Sequence, residues 1–217
     1  MTSANRPILI AVDGPAASGK GTIARALARY FGLPHMDTGS LYRAVALTMF
    51  RFGGDPGSEF EALRAVEGIA QVDPTDPELR SEIVGSIASR ISAYAGVRAA
   101  LLERQRHFAA QPSGAVLDGR DIGTVIAPGA SAKLFVTASP EVRARRRVAE
   151  LLKRGMPAHL EDVMVDIRAR DARDSGRAAA PLVPADDAEL LDTSQMDIDE
   201  AIQAAIGLVE RKLAALA

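Results

Sequence analysis

The chain has no cysteine and no tryptophan, and aromatic residues make up only 4% of it. Without thiols there is no disulfide framework and no thiolate metal site. With so few rings, stacking platforms for single-stranded nucleic acid are scarce. No run of about 18 apolar residues occurs, the length needed to span a bilayer. Met1-Thr2-Ser3-Ala4-Asn5-Arg6 lacks the apolar core of a secretion signal. A formal net charge of −2 gives no push toward polyanions or membrane surfaces. What is left, at 217 residues, 47% apolar and 25% charged, is the make-up of a soluble cytoplasmic protein with one domain, or one core with small inserts.

The informative stretch lies near the start. Ile8-Leu9-Ile10-Ala11-Val12-Asp13 runs into Gly14-Pro15-Ala16-Ala17-Ser18-Gly19-Lys20-Gly21-Thr22, and a helical pattern leaves it. That is the layout of a phosphate-binding loop. Glycines let the backbone turn tightly and aim successive N–H groups inward as an anion nest. The following helix adds the positive end of its dipole, and Lys20 can reach the outer phosphates as a mobile point charge. The usual pattern places Ser or Thr directly after the lysine; here Gly21 intervenes and the hydroxyl arrives at Thr22. A chance glycine-rich turn is the competing reading, and the flanking strand and helix patterns weigh against it. Gly-Lys-Gly-Thr resembles the loop of nucleoside monophosphate kinases. With no hydroxyl directly after Lys20, Mg²⁺ is expected to be held mainly through ATP phosphates and water, with no side-chain metal site.

Apolar residues at helical spacing predict a helix over 22–31, stopped by Gly32. A short strand follows over 33–37, then a helix over 41–52 closed by Gly53-Gly54. Two longer helical stretches, 59–71 and 77–109, surround the turn Asp73-Pro74-Thr75-Asp76-Pro77. Short buried strands are read at 115–118, 133–137 and 189–192, and a final helix begins at about Asp197. Strands alternating with helices imply a parallel sheet with helices on both faces. Ligands of such sheets sit at the carboxyl ends of the strands, where Asp13, Asp37, Asp118 and Thr137 fall.

Three further segments can carry chemistry. Asp118-Gly119-Arg120-Asp121 follows the third strand, and a carboxylate there can orient magnesium-bound water or the loop. The competing reading is a turn acid bonding nearby backbone N–H groups. Nine arginines lie between Arg143 and Arg177. Arg143, Arg146 and Arg147 share one helical face, and Arg170, Arg173, Asp174 and Arg177 share one arc. That arc flanks an apolar stripe of Leu160, Val163, Met164 and Ile167, so the charges border buried structure and call for an anionic partner. Phosphoryl transfer supplies one, because fixed guanidinium groups stabilise charge on the non-bridging oxygens. The alternatives are an RNA-binding patch, or a solvated face paired with Glu150, Glu161, Asp162, Asp166 and Asp171, to which Arg145, Lys153, Arg154 and Arg168 belong. A break at Lys153-Arg154-Gly155-Met156-Pro157 between the clusters suits a helical hairpin that closes over a triphosphate and excludes water. Finally, Asp37-Thr38-Gly39-Ser40-Leu41-Tyr42-Arg43 opens the second helix, with Thr38 as its cap and Arg43 one turn in; a capped helix start with a surface arginine explains it equally well.

Together these residues resemble the bacterial cytidylate kinases over nearly the whole chain. The matching pieces are Asp13-Gly14-Pro15 with Ser18-Gly19-Lys20-Gly21-Thr22, and Asp37-Thr38-Gly39 with Tyr42-Arg43. Val97-Arg98-Ala99-Ala100-Leu101-Leu102 with Arg104-Gln105-Arg106 follows, then Asp118-Gly119-Arg120-Asp121-Ile122-Gly123-Thr124-Val125. The last are Arg170-Asp171-Ala172-Arg173-Asp174, and Arg177 before Ala180-Pro181-Leu182. The loop alone is common to many kinases; the Gly-Arg-Asp-x-Gly-Thr and Arg-Asp-x-Arg-Asp segments are far more specific.

The resemblance implies a single α/β P-loop kinase domain with a five-stranded parallel sheet flanked by helices. Its core would span 6–38, 112–142 and 178–217, with a helical monophosphate-binding region at about 39–111 and an arginine-rich lid at about 143–177. It implies transfer of the γ-phosphoryl of ATP to CMP or dCMP with Mg²⁺, by a monomer that needs neither nucleic acid nor membrane. Gly14, Pro15, Ala16, Ala17, Ser18, Gly19, Lys20, Gly21, Thr22 and Arg146 would bind ATP. Thr38, Arg43, Arg120 and Asp121 would hold the acceptor's phosphate and sugar, and Arg170 would face both. Ser89, Arg98, Asp174 and Arg177 would read the cytosine edge. Lys20, Asp118, Arg120, Arg143, Arg147 and Arg170 would bear on catalysis. Cytosine offers an amine donor and two acceptors, which an acid, a hydroxyl and arginines complement; uracil carries a carbonyl that a carboxylate repels. Two departures stand out. Thr38 replaces a serine found in some relatives, and Val72-Asp73-Pro74-Thr75-Asp76-Pro77-Glu78-Leu79 is a trimmed version of a small β-rich insert on which the placing of Ser89 depends. Two competing functions remain: a P-loop kinase for UMP, AMP or shikimate, and a nucleotide-binding regulatory or RNA-associated module, which the scarcity of aromatics disfavours.

Overall fold

The computed structural model describes residues 7–216. Met1–Arg6, the start of the expected core at 6 and its end at 217 lie outside the described residues. Five strands form one parallel sheet in the order β2-β3-β1-β4-β5. The central strand β1 (Leu9–Asp13) lies between β3 (Ala115–Gly119) and β4 (Ala132–Thr137). The edges are β2 (His35–Asp37) and β5 (Glu189–Asp192). The strand expected over 33–37 thus forms only at its last three residues. Pro34 has no N–H to pair, and its carbonyl accepts from Val116 N at 2.8 Å. Asp13 stands opposite Gly119 and Phe135, and Thr137 opposite Asp192, so the carboxyl ends of these strands line up.

Side chains alternate along a strand. Ile10 and Val12 therefore point to one face of β1, while Ala11 and Asp13 point to the other. The first face joins Val116, Leu134 and Val136 to Ile23 and Leu27 of α1 (Lys20–Phe31) and to Ala205 and Val209 of α8 (Ile198–Ala214). On the second face, a wide helical turn over Ile122–Ile126 packs against β1. It is closed by bonds from Ile126 N to Asp121 O (3.2 Å) and from Ala127 N to Ile122 O (2.7 Å). Ile10, Ala11, Val12, Val116 and Leu117 are fully buried, which explains why these strands read as continuous apolar runs.

Residues up to Met36 and from Ala109 onward form one compact unit, and Asp37–Phe108 form another. The second is built from α2 (Thr38–Arg51), α3 (Glu59–Glu67), α4 (Glu82–Ile91) and α5 (Ala95–Ala109) around Leu47, Met49, Ile91 and Leu101. Here several expectations are corrected. The helix expected over 41–52 starts at Thr38, and Asp37 holds the cap position without a side-chain cap bond, so Thr38 lies in the first turn and does not cap it. The stretch expected over 59–71 ends as an α-helix at Glu67 and continues as a single 3₁₀ turn. The stretch expected over 77–109 is three pieces. A 3₁₀ turn occupies Pro77–Arg80. Ser81 Oγ then accepts from Val84 N at 3.2 Å to start α4, and Ser92 Oγ donates to Ser89 O at 2.9 Å where α4 ends. Serine hydroxyls compete with the helix in this way without any glycine or proline to announce it. In the first unit, α6 (Pro140–Lys153) and α7 (Leu160–Ser175) form a hairpin with its own small core of Ala144, Leu151, Val163 and Ile167. Leu160 is exposed and leaves the expected stripe. Among the described residues no helix is long and apolar enough to cross a membrane.

Candidate active site

The loop Gly14–Gly19 leaves the carboxyl end of the central strand. A Cβ at Gly14 would stand 2.0 Å from Val136 O, so only glycine lets the chain pass β4 here. Ala17 sits in the left-handed region at φ 58°. Gly19 O accepts from Thr22 N (3.0 Å) and Ile23 N (3.1 Å), so α1 begins at once and its first N–H groups face the loop. Lys20 Nζ bends back to donate to Pro15 O at 3.3 Å. Ser18 is fully buried, and its Oγ has no hydrogen-bond partner among the described residues.

Two carboxylates flank this loop from opposite faces of the sheet. Asp118 shares the face of Val116, as alternation requires. Its Oδ1 lies 2.7 Å from His35 Nε2, and its Oδ2 lies 3.5 Å from where a Cβ on Gly21 would stand, beside the start of α1. Asp13 lies on the other face and accepts from the backbone N–H groups of Ile122 and Gly123, both at 2.8 Å. Burial pushes its carboxyl up to about 6 against the lowering effect of those two amides.

Asp174, at the end of α7, is buried between arginines. Arg120 Nε donates to Oδ2 at 2.8 Å, and Arg177 Nη2 donates to Oδ1. Burial acts to raise the Asp174 carboxyl, but the charges of Arg120, Arg177 and Arg170 overcome it and hold it below the ordinary carboxylate range. Leu182 N donates to Asp174 O at 2.8 Å, which ties the Ala180-Pro181-Leu182 segment to the helix end.

The hairpin arginines divide by environment. Arg143 is buried. It grips both oxygens of Asp171 at 2.9 and 2.6 Å, donates from Nε to Ala138 O at 2.9 Å, and reaches Ala16 O of the loop at 3.4 Å. Asp171 is therefore a structural partner and not part of a solvated face. Arg146 donates to Thr193 Oγ1 at 2.9 Å, Thr193 O at 2.7 Å and Ser18 O at 3.3 Å. Arg147 pairs with Glu150 at 2.7 Å, while Arg145, Lys153, Arg154 and Arg168 are exposed. Thr193 escapes a motif-based reading. It is buried after β5, and its Oγ1 lies within reach of Ser18 O (3.2 Å) and Thr137 O (3.1 Å); its place just past a strand's carboxyl end is the signal that could have found it.

Within the second unit, Thr38 and Ser89 are buried. Ser92 links Ser89 to Arg98, since its Oγ bonds Ser89 O and its carbonyl accepts from Arg98 Nη1 at 3.4 Å. The Arg98 guanidinium stands 6.0 Å from the Tyr42 ring centroid. Arg43 donates to Leu79 O at 2.8 Å and packs over Gly85, where a Cβ would stand 3.1 Å from Nη2.

A phosphate loop after the central strand of a parallel sheet, a lysine at the helix start and arginines on the adjoining hairpin define a P-loop phosphotransferase. The cytidylate kinase family model matches residues 10–211. The chain is 59% identical over 209 residues to a cytidylate kinase of Xanthobacter autotrophicus, covering 95% of this chain and 99% of that one. It is 54% identical over 203 residues to a cytidylate kinase of Methylocella silvestris, covering 94% of each. A solved structure of an uncharacterized protein from Eubacterium ventriosum shares the fold, with a TM-score of 0.52 at 13% identity over 95% of this chain and 99% of that one. The chain belongs to the cytidylate kinase family and is a kinase enzyme.

Proposed function

We propose that the protein transfers the γ-phosphoryl group of ATP to CMP or dCMP, giving CDP or dCDP and ADP. The observation that carries this reading is the buried Asp174 carboxylate between Arg120 and Arg177. A carboxylate kept ionised accepts the cytosine amine, arginines donate to O2 and N3, and the uracil carbonyl is rejected because it meets a buried acceptor. Arg120 and Asp121 would hold the acceptor's phosphate and sugar, with Arg170 facing both. Thr38, Arg43, Ser89 and Arg98 would contribute from the Asp37–Phe108 unit, read as the monophosphate-binding region.

On the donor side, the Gly14–Thr22 backbone and Lys20 would hold the phosphates, with Arg146 beside them. Catalysis is then positioning plus neutralisation of charge on the non-bridging oxygens, with no covalent intermediate. Arg147 and Arg170 would supply that charge. Arg143 would act by holding the Ala16 carbonyl and α7 in place. Asp118 fits Mg²⁺–ATP as an acceptor for metal-bound water, because its Oδ2 stands beside the start of α1. Mg²⁺ held beside Asp118 would supply neutralisation of the phosphate charge. We assign the enzyme to the cytoplasm, acting as a monomer without nucleic acid.

A coupled ADP-release assay tests the reading with CMP, dCMP, UMP, AMP and shikimate as acceptors. CMP and dCMP should be used fastest. Preference for another acceptor, or RNA binding with steep salt dependence and no acceptor-stimulated ATP use, would overturn it.

A further inference from the structure

Asp13 is the last residue of the central strand, it is 4% exposed, and the mechanism above gives it no part. Its backbone stands in register opposite Gly119, the last residue of β3. Its side chain then takes one N–H on each oxygen, Ile122 on Oδ1 and Gly123 on Oδ2. Between those two points lie only Arg120 and Asp121. One residue therefore pins both ends of a two-residue segment, by strand pairing on one side and by carboxylate on the other. The far side of the turn is equally closed. A Cβ on Gly123 would stand 3.1 Å from Lys133 Cδ and 3.4 Å from Asp13 Oδ2, so a side chain there would crowd the Lys133 stem and come into contact with the clamp. Both oxygens must accept. Asparagine offers one acceptor and an NH₂ that would face a backbone N–H.

We propose that Asp13 is a positioning residue for the acceptor: by clamping the Ile122–Gly123 backbone it sets the placement of Arg120 and Asp121. The inference rests on the reading that those two residues hold the acceptor's phosphate and sugar. The hydrogen bonds of Asp13 run to the turn after β3 and not to the phosphate loop, and from that loop only the charge of Lys20 reaches it, so its loss acts chiefly on the acceptor.

The test is steady-state kinetics of Asp13→Asn, Gly123→Ala and Arg120→Ala beside the unchanged enzyme, with KM for CMP at saturating ATP and KM for ATP at saturating CMP. Losing one hydrogen bond of this kind is expected to raise KM for CMP about tenfold in Asp13→Asn, with KM for ATP within about twofold. Gly123→Ala, which crowds the Lys133 stem beside the clamp and leaves both hydrogen bonds in place, should show the same split to a smaller degree. A purely structural role lowers the amount of active enzyme, so kcat falls with both KM values unchanged; that result, or an equal rise in both KM values, overturns the proposal. If Arg120→Ala raises KM for CMP while Asp13→Asn does not, the proposal fails and the acceptor reading stands. If Arg120→Ala leaves KM for CMP unchanged, the acceptor reading fails and takes the proposal with it.

Discussion

Asp13 and Asp174 lie in the same compact unit and are buried almost equally, at 4% and 1% exposure, yet they are held in opposite ways. Asp13 is answered by two backbone N–H groups, and burial still pushes its carboxyl up to about 6. Asp174 is answered by guanidinium groups, and their charges carry its carboxyl below the ordinary range despite the burial. Neutral dipoles do not repay the loss of water around a carboxylate, whereas two full charges at hydrogen-bond distance do. The difference is also one of permanence. Backbone donors in a closed turn have nowhere else to go, which suits a structural clamp. Side-chain donors can shift onto an incoming ligand, which suits recognition.

The sharpest way to break this comparison is Asp174→Ala, which leaves Arg120 and Arg177 facing each other in a buried site. The value of kcat/KM for CMP should fall by roughly a thousandfold or more, the scale on which a polar pocket rejects a lost partner; a fall under about tenfold would remove the clasp from recognition. Lys20→Ala comes next. Lys20 is the cation whose charge acts to lower Asp13, and its removal should cost at least about a hundredfold in turnover, the scale of losing one preorganised donor. Near-normal turnover would refute its assignment to the phosphates.

Stability against pH separates the two carboxylates by sign. Asp13 is raised in the folded state, so the native protein binds its proton more tightly. The stability it contributes is complete below the ordinary value near 3.8 and is lost as pH rises through about 6. Asp174 is lowered, so its contribution is present above the ordinary carboxylate range and is lost on acidification. Asp13→Asn should therefore gain on the unchanged protein as pH rises from about 4 to about 7, by on the order of 3 kcal/mol. Urea unfolding across that range checks it, and a difference that stays flat with pH would show that no charge is being buried. The smallest effect is expected at Gly123→Ala, about 1 kcal/mol for crowding the Lys133 stem beside the clamp. That is a drop of roughly 2–4 °C in Tm for a chain of this size, read by calorimetry.

The sequence shows the inner strands β1 and β3 well because they are buried on both sides, and the edge strand β5 is legible from Leu190-Leu191 although Leu190 is exposed. The run over 189–192 coincides with β5, and the apolar stretches at 8–13 and 115–118 mark β1 and β3. It hides what depends on partners brought from afar. Asp13 reads as an acid at a strand end, and its clamp only exists because Ile122, 109 positions away, returns to it. Arg143 reads as one of a basic face, yet tertiary packing gives it Asp171 across the hairpin. The break between α4 and α5 is equally silent, since a serine hydroxyl bonding back to Ser89 O ends the helix where no proline or glycine stands. Spacing identified which arginines share a face; it could not say which anion each one meets.

The α6–α7 hairpin has a core of only four buried residues, separate from the one beneath the sheet. Its inner surface is stapled by the Arg143–Asp171 fork. Such a piece is expected to open locally before the sheet does. Amide protons along α6 and α7 should exchange with deuterium as a single block, well ahead of those in β1 and β3. ADP should slow that block while leaving the strands at their own pace, so mass spectrometry would read nucleotide occupancy as a delay in one helical hairpin.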